Sequence, residues 1–113
     1  MAEEIEMDAD DARAFHALAV LDGVAIGCGR MLEHGASEVK IGRMAVLREF
    51  RKTGVGAQIL RFLVDRARER GCRKAILHAQ LTAEGFYLKE GFKPVGSVFD
   101  EAGIAHRKME REL

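Results

Sequence analysis

The stretch Arg51-Lys52-Thr53-Gly54-Val55-Gly56 is where residue type and spacing first suggest chemistry. Two glycines at the first turn of a following helix let the backbone come close to a ligand. The N–H groups of that turn have no intrahelical partner and point outward with the positive end of the helix dipole. That combination is an anion cradle. It is not a nucleotide P-loop, which needs a lysine and a hydroxyl directly after its second glycine; Ala57-Gln58 stand there instead. Nor does the stretch read G-x-G-x-x-G. A glycine-containing loop before an ordinary helix is the plain alternative, so the rest of the chain must decide. Metal chemistry is not expected. His16, His34, His78 and His106 are scattered without an i, i+4 pair, and Cys28 and Cys72 are too far apart for a zinc knuckle or a disulfide framework. Both cysteines read as reduced thiols.

The elements that must position this loop follow from periodicity. Phe15 to Leu21 and Val24 to Met31 are apolar runs joined across Asp22-Gly23, a strong hairpin signal. After a turn at Glu33 to Ser37, Val39 to Leu47 predicts a third, buried strand. From Gly54 the period changes to 3.6: Leu60, Leu63, Val64 and Ala67 share one face, and Gly71 is placed to end the helix. Ala75 to Leu77 is the next strand, and strand, helix, strand at this spacing is a βαβ unit with parallel neighbours. A second helix is expected over about Thr82 to Glu90, with Thr82 as its cap and Gly91 as its stop. Phe92 to Phe99 and Ala105 to Glu110 close the chain as a strand pair around Asp100-Glu101-Ala102-Gly103. The expected fold is α/β (α+β): a mixed, mostly antiparallel sheet with a central βαβ unit and two main helices, in one domain over residues 1–113.

Composition narrows the function classes. The 113 residues are 48% hydrophobic and 32% charged with a single proline, which is the balance of a folded globular chain. No apolar run approaches a bilayer span and no basic-then-apolar leader opens the chain, so a cytoplasmic protein is expected. The formal net charge of zero hides a division: residues 1–22 carry seven acids against Arg13, whereas residues 40–74 carry eleven bases against three acids. That basic segment suits an anionic small molecule or a solvated helix face. Nucleic acid is disfavoured, because aromatic residues are not interleaved with the bases.

The anion loop does not stand alone. An R-x-x-G-x-G loop after a strand, then a helix, a strand and Ala83-x-x-Phe86-Tyr87-x-Lys89-x-Gly91-Phe92, resembles the GNAT superfamily of acyl-CoA-dependent N-acetyltransferases. The resemblance runs from about His16 to Met109. Ile41-Gly42-Arg43-Met44-Ala45-Val46, Leu77-His78-Ala79-Gln80 and Phe99-Asp100-Glu101-Ala102-Gly103-Ile104 look like the bacterial ElaA/YjcF-like branch.

The resemblance implies acetyl-CoA as co-substrate and no metal. Its pyrophosphate would rest on Arg51, Lys52, Thr53, Gly54, Val55 and Gly56, chiefly on backbone N–H groups. Met44, Ala45 and Val46 would splay from the strand of His78 and pair with the pantetheine arm as with another strand. Gln80 stands where many members place a pantetheine-contacting asparagine, and Lys89 joins the coenzyme set. Tyr87 falls at the position of the superfamily's general acid, which protonates the departing thiolate. Its alternative is a ring packed on the sheet. An alkyl amine near pKa ~10.4 also needs a base, for which His78 is the best candidate, a structural histidine being the alternative. Glu101, Asp100 and His106 could face the acceptor, and Arg30 and Arg43 could pair with an acidic one.

One departure is expected. The family usually opens with a further strand and helices that wall the acceptor site, whereas about fourteen residues precede the first expected strand here, and the acidic start resembles a loop. The resemblance thus implies transfer of an acetyl group to a primary amine by direct attack in a ternary complex, with a catalytically inactive acyl-CoA-binding module as the alternative. The apolar pair Phe15 to Leu21 and Val24 to Met31 further suggests a homodimer that covers it.

Overall fold

The computed structural model describes residues 2–6, 14–35 and 37–113. Among the described residues, seven strands form one sheet: β1 (Ala2–Glu6), β2 (Ala14–Leu21), β3 (Val24–Glu33), β4 (Glu38–Val46), β5 (Lys74–Gln80), β6 (Lys93–Glu101) and β7 (Ile104–Glu112), together with two α-helices, α1 (Val55–Glu69) and α2 (Glu84–Lys89). The strand order is β1-β2-β3-β4-β5-β7-β6, antiparallel throughout except for the parallel β4–β5 pair. The expected order of two strands, a βαβ unit, a helix and two strands therefore holds from β2 onward. No helix among the described residues is long and apolar enough to cross a membrane.

Two parts of the chain differ from the sequence expectation. The acidic start was expected as a loop without a strand, yet Ala2–Glu6 pairs with His16 to Val20 of β2. Glutamates have poor strand propensity, but β2 offers an open ladder of backbone donors and acceptors, and pairing overrides propensity. Residues 7–13 of that stretch lie outside the described residues. The second helix is also shorter than expected. A 3-10 turn occupies Leu81–Ala83, α2 follows, and its N-cap is Ala83 with no side-chain capping bond, so Thr82 is not the cap. Gly91 does end it, at φ +90°.

The turn chemistry that shapes the rest follows its residues. Asp22 and Gly23 take φ of 52° and 78°, the double left-handed turn that matches strand twist, and Ala102-Gly103 repeat it at 52° and 78°. Gly71, at φ 83°, lets Cys72 N–H reach back to the Ala67 carbonyl at 3.0 Å and close α1.

The core lies between α1 and one face of the sheet. Val55, Ile59, Leu60, Leu63, Val64 and Ala67 of α1 meet Ala17, Ala19, Ile26, Met31, Val39, Ile41, Ala75, Leu77, Ala79 and Met109, all buried. Much of the apolar β2–β3 pair that suggested self-association is thus covered by the chain's own helix. Alternation sends the neighbours of these residues to the other face: Arg30, Lys40, His78 and His106 stand there.

Close approach of α1 to β3 depends on two glycines. A Cβ at Gly27 would stand 2.9 Å from Ile59 Cδ1, and one at Gly29 would stand 2.6 Å from Met44 Sδ and 2.8 Å from Ile59 Cγ2. Gly29 also faces a bulge in β4. Cys28 pairs with Ala45 and Arg30 with Gly42, so Arg43 and Met44 together oppose Gly29. Gly29→Ala should therefore destabilise the fold by about 1–3 kcal/mol through overpacking, measured by urea unfolding; a variant as stable as the parent would show that α1 and the bulge yield without cost.

Candidate active site

The site begins where two strands part. β4 and β5 pair only at Glu38↔Lys74, Val39↔Ala75 and Lys40↔Ile76; beyond Lys40 the two strands have no register in common. Ile41–Val46 and Leu77–Gln80 then border an open gap, as the splay expected for Met44 to Val46 requires. The Val46 carbonyl accepts a hydrogen bond from Arg51 Nε at 3.2 Å. Arg51 is therefore turned toward the strand end, and its guanidinium is not wholly free for an anion.

On one side of the gap lies a groove of about 580 Å³. Met44, Ala45, Val46, Arg51, Lys52, Gly54, Gly56, Tyr87 and Lys89 line it, together with Phe50, Phe86 and Glu90. Most of the expected coenzyme residues are thus brought together. Three are not. Val55 is buried in the core beneath the loop, so only its backbone can serve. The Thr53 hydroxyl donates to the Phe50 carbonyl and fixes the turn. Gln80 lines the neighbouring cavity, because the strand alternation that turns Ala79 into the core turns Gln80 to the other face.

The loop has the form an anion requires. Lys52 and Gly54 hold φ of 64° and 92°, which lifts the chain into α1, and the first ladder bond of that helix runs from Gln58 N–H to the Gly54 carbonyl at 3.0 Å. The N–H groups of Val55, Gly56 and Ala57 therefore precede the ladder. A Cβ at Gly56 would project among Phe86 Cζ and Val46 Cγ2 at 3.6 and 3.7 Å, ordinary contacts that would fill the groove floor. The residues present fit a pyrophosphate.

On the other side lies a second cavity of about 510 Å³. Arg30, Arg43, His78, Glu101 and His106, the expected acceptor residues, all line it; Asp100 does not. Met44, Ala83 and Tyr87 line both spaces. Of the three, only Tyr87 carries an exchangeable side-chain proton. Burial pushes its phenol above the ordinary value, so it stays protonated near neutral pH. Its ring packs edge-on against Phe86 and Phe92, with centroids 5.0 and 6.0 Å away.

Glu101 organises the far wall. It stands at the end of β6 and reaches across β7, placing Oε1 3.0 Å from His78 Nδ1 and Oε2 3.6 Å from His106 Nε2. The Phe99 ring contacts both imidazoles, with centroids 5.0 Å from His78, edge-on, and 6.0 Å from His106, stacked. His106 Nδ1 contacts the Ile104 carbonyl at 2.8 Å, a bond in which the nitrogen must donate. The hydrogen bond from His78 holds the Glu101 carboxyl below the ordinary range, against a smaller desolvation effect and with help from His106 and Lys40.

Lys40, Phe50 and Phe86 were missed as site residues. Lys40 could have been found, since Val39 and Ile41 alternate with it and leave it on the face of His78. The bulge at Arg43 had no sequence signal, because the left-handed position, φ 52°, is held by an arginine. Among the described residues, no group of three or more His, Cys, Asp or Glu is placed to hold a metal ion. Cys28 and Cys72 are free thiols.

This geometry agrees with what the chain is similar to. The family model for the acetyltransferase (GNAT) domain matches residues 1–113. The N-acetyltransferase YjcF of Bacillus subtilis is 35% identical over 114 residues, spanning 98% of this chain and 79% of that protein. The crystal structure of Escherichia coli ElaA superposes with a TM-score of 0.82 at 29% identity, covering 95% of this chain and 75% of that one. A GNAT acetyltransferase from Elizabethkingia anophelis, solved with acetyl-CoA bound, shares the fold at a TM-score of 0.74 and 22% identity, over 89% of this chain and 77% of that one. The chain belongs to the GNAT acetyltransferase family, whose chemistry is acyl transfer from an acyl-coenzyme A.

The His78–Glu101 bond has a measurable consequence for pH. A carboxyl held below its ordinary 4.5 stabilises the fold when ionised; that contribution is complete above 4.5 and is lost as pH falls through the lower folded value. The stability difference between the parent and Glu101→Gln should therefore shrink as unfolding is followed from neutral pH into acid. A difference that does not change with pH would remove the bond from the folded protein in solution.

Proposed function

We propose that the chain transfers the acetyl group of acetyl-CoA to a primary amine by direct attack within a ternary complex. The observation that carries this reading is Tyr87, among the described residues the one side-chain proton donor that lines both the coenzyme groove and the acceptor cavity. When bound, acetyl-CoA supplies the acyl thioester. The Gly54 to Gly56 turn would hold the pyrophosphate on backbone N–H groups, with Lys52 adding charge, and the exposed edge of β4 would pair with the amide-bearing arm.

The chain's own groups then divide the proton traffic. His78 donates from Nδ1 to Glu101, which leaves Nε2 with a lone pair to take the proton of the incoming amine. Glu101 acts through His78 and is a positioning residue. Tyr87 holds its proton at the junction of the two spaces, where the departing sulfur must be protonated; a phenol kept neutral by burial suits that task. Arg43 and Arg30 would contact the acceptor.

Two variants should separate these roles. Tyr87→Phe should lower kcat by about tenfold or more and leave coenzyme A affinity nearly unchanged, because only the transition state needs the proton. Gly56→Asp should do the reverse to affinity. An aspartate suits the first turn of a helix and its Cβ would meet only ordinary contacts here, yet it would set a carboxylate in the anion cradle. Calorimetry and thioester-cleavage kinetics measure both. An unchanged kcat in Tyr87→Phe would move the proton donor to water, and parental coenzyme affinity in Gly56→Asp would dismiss the loop.

A homodimer in the cytoplasm is part of the same reading. Its support is β6, the sheet edge, which exposes Val95 and Val98. Sedimentation at micromolar concentration should give about twice the chain mass, and a monodisperse monomer would refute it.

A further inference from the structure

Glu101 has two carboxylate oxygens, and His78 uses only one of them. Oε1 lies 3.0 Å from His78 Nδ1, while Oε2 stands 3.6 Å from His106 Nε2. The second contact makes a demand on its ring. His106 Nδ1 lies 2.8 Å from the Ile104 carbonyl, which can only accept, so one ring proton is spent there. A neutral imidazole has no second proton to give. Its Nε2 would turn a lone pair toward a carboxylate oxygen, and two hydrogen bonds through one water need a wider gap than this. With a second proton on Nε2 the same contact becomes an ion pair. The carboxyl responds accordingly: the hydrogen bond from His78 is the main cause that lowers it, and the charge of His106 acts in the same direction.

The surroundings hold the ring for that task. His106 is only 7% exposed. It stacks on Phe99, with the two planes 24° apart, and Phe99 meets His78 edge-on. A ring so covered offers an acceptor little surface. Glu101 is the opposite case, with a side chain 48% exposed, and a single hydrogen bond leaves such a side chain much of its rotamer freedom. A hold on Oε2 as well fixes the carboxylate plane, and with it the direction from which Oε1 meets His78. Other charged groups face the same space: Arg30, Lys40 and Arg43 line it from β3 and β4, and Lys108 shares the face of His106 on β7.

We propose that His106 is a positioning residue for the transfer: as an imidazolium it holds Oε2 of Glu101, keeps Oε1 on His78 Nδ1, and so keeps Nε2 of His78 bare for the incoming amine. This rests on the acetyl-transfer reading and adds a member to its base. His106 itself needs no contact with the substrate.

Two substitutions divide the contacts of the ring. In His106→Gln the amide nitrogen falls near the place of Nε2 and can donate to Glu101, whereas in His106→Asn it falls near the place of Nδ1 and can keep only the Ile104 bond. His106→Asn should lower kcat by about tenfold or more with the KM for acetyl-CoA little changed, and His106→Gln should recover most of that loss. Nitrogen NMR of the histidine rings gives a readout that needs no turnover. Near neutral pH the parent should show His106 protonated on both nitrogens and His78 on Nδ1 alone, and in His106→Asn the His78 proton should shift toward Nε2. A bare Nε2 on His106 in the parent overturns the proposal, as does a His78 tautomer unchanged in His106→Asn, or equal kcat in the two variants. If His106→Asn does not fold, the ring spectrum of the parent still decides. Absence of turnover by the parent with every amine strikes the acetyl-transfer reading instead, because the ring spectra report the hold on Glu101 without turnover.

Discussion

Everything that makes this molecule more than a packed sheet depends on β4 and β5 ceasing to pair after three residues. Backbone donors and acceptors along a strand edge demand partners, and a protein with no use for the gap would close it. Here the Val46 carbonyl is answered by Arg51 Nε, while Ile41 to Met44 border one cavity and Met44 to Val46 the groove. A ligand arm with its own amides can complete that ladder, which is why an opened sheet serves acyl-coenzyme A chemistry. The gap is kept open by packing: the bulge at Arg43 and Met44 bends β4, and Gly29 opposite it leaves room for Met44 Sδ and for Ile59 of α1. Removal of that room would act on the fold and the site together.

The same strands serve stability and chemistry by alternation. Along β5, Ala75, Leu77 and Ala79 are buried against α1, while His78 and Gln80 face the acceptor cavity. The register is held by seven pairings with β7, from Lys74↔Glu112 to Gln80↔His106. A slip of one residue would bury His78 and expose Leu77, so the hydrophobic face of α1 indirectly fixes where the imidazole stands. The basic residues that the sequence concentrates between 40 and 74 divide in the same way. Lys40 and Arg43 reach the acceptor cavity and Arg51 and Lys52 the coenzyme groove, whereas Arg66 and Arg68 pair with Glu69 and Asp65 on the solvent face of α1.

Legibility in the sequence followed the range of the physics. Local rules were visible: the Asp22-Gly23 turn, the 3.6 period of Leu60, Leu63, Val64 and Ala67, and Gly71 as a stop. The turn before α1 was visible too, because Gly54 takes a left-handed φ that glycine adopts readily. What escaped depended on distant partners. Thr82 looks like a cap, but the chain leaves β5 through a 3-10 turn and Ala83 takes that position. The strand Ala2–Glu6 is acid-rich and is visible only once β2 is known to offer an edge. Gln80 was assigned to the coenzyme by analogy with an asparagine, and its alternation with the buried Ala79 sends it to the acceptor cavity. The bulge at Arg43 was hidden because no glycine marks it.

Two titratable groups that line the same cavity are moved in opposite directions by different causes. Tyr87 lies among the rings of Phe86 and Phe92, and loss of water raises its phenol. Glu101 lies open to solvent, and the hydrogen bond from His78 lowers its carboxyl. Near neutral pH one is a neutral donor and the other an anion, which is the division that acid–base work on a proposed amine acceptor requires. Neither state depends on the other, since desolvation acts at the junction with the coenzyme groove and the hydrogen bond at the turn between β6 and β7. In the proposed reaction the incoming amine would meet an acceptor in the His78 imidazole, oriented by Glu101, and a donor in Tyr87. The order of the strands, with β7 lying between β5 and β6, is what carries a carboxylate from the sheet edge to that imidazole.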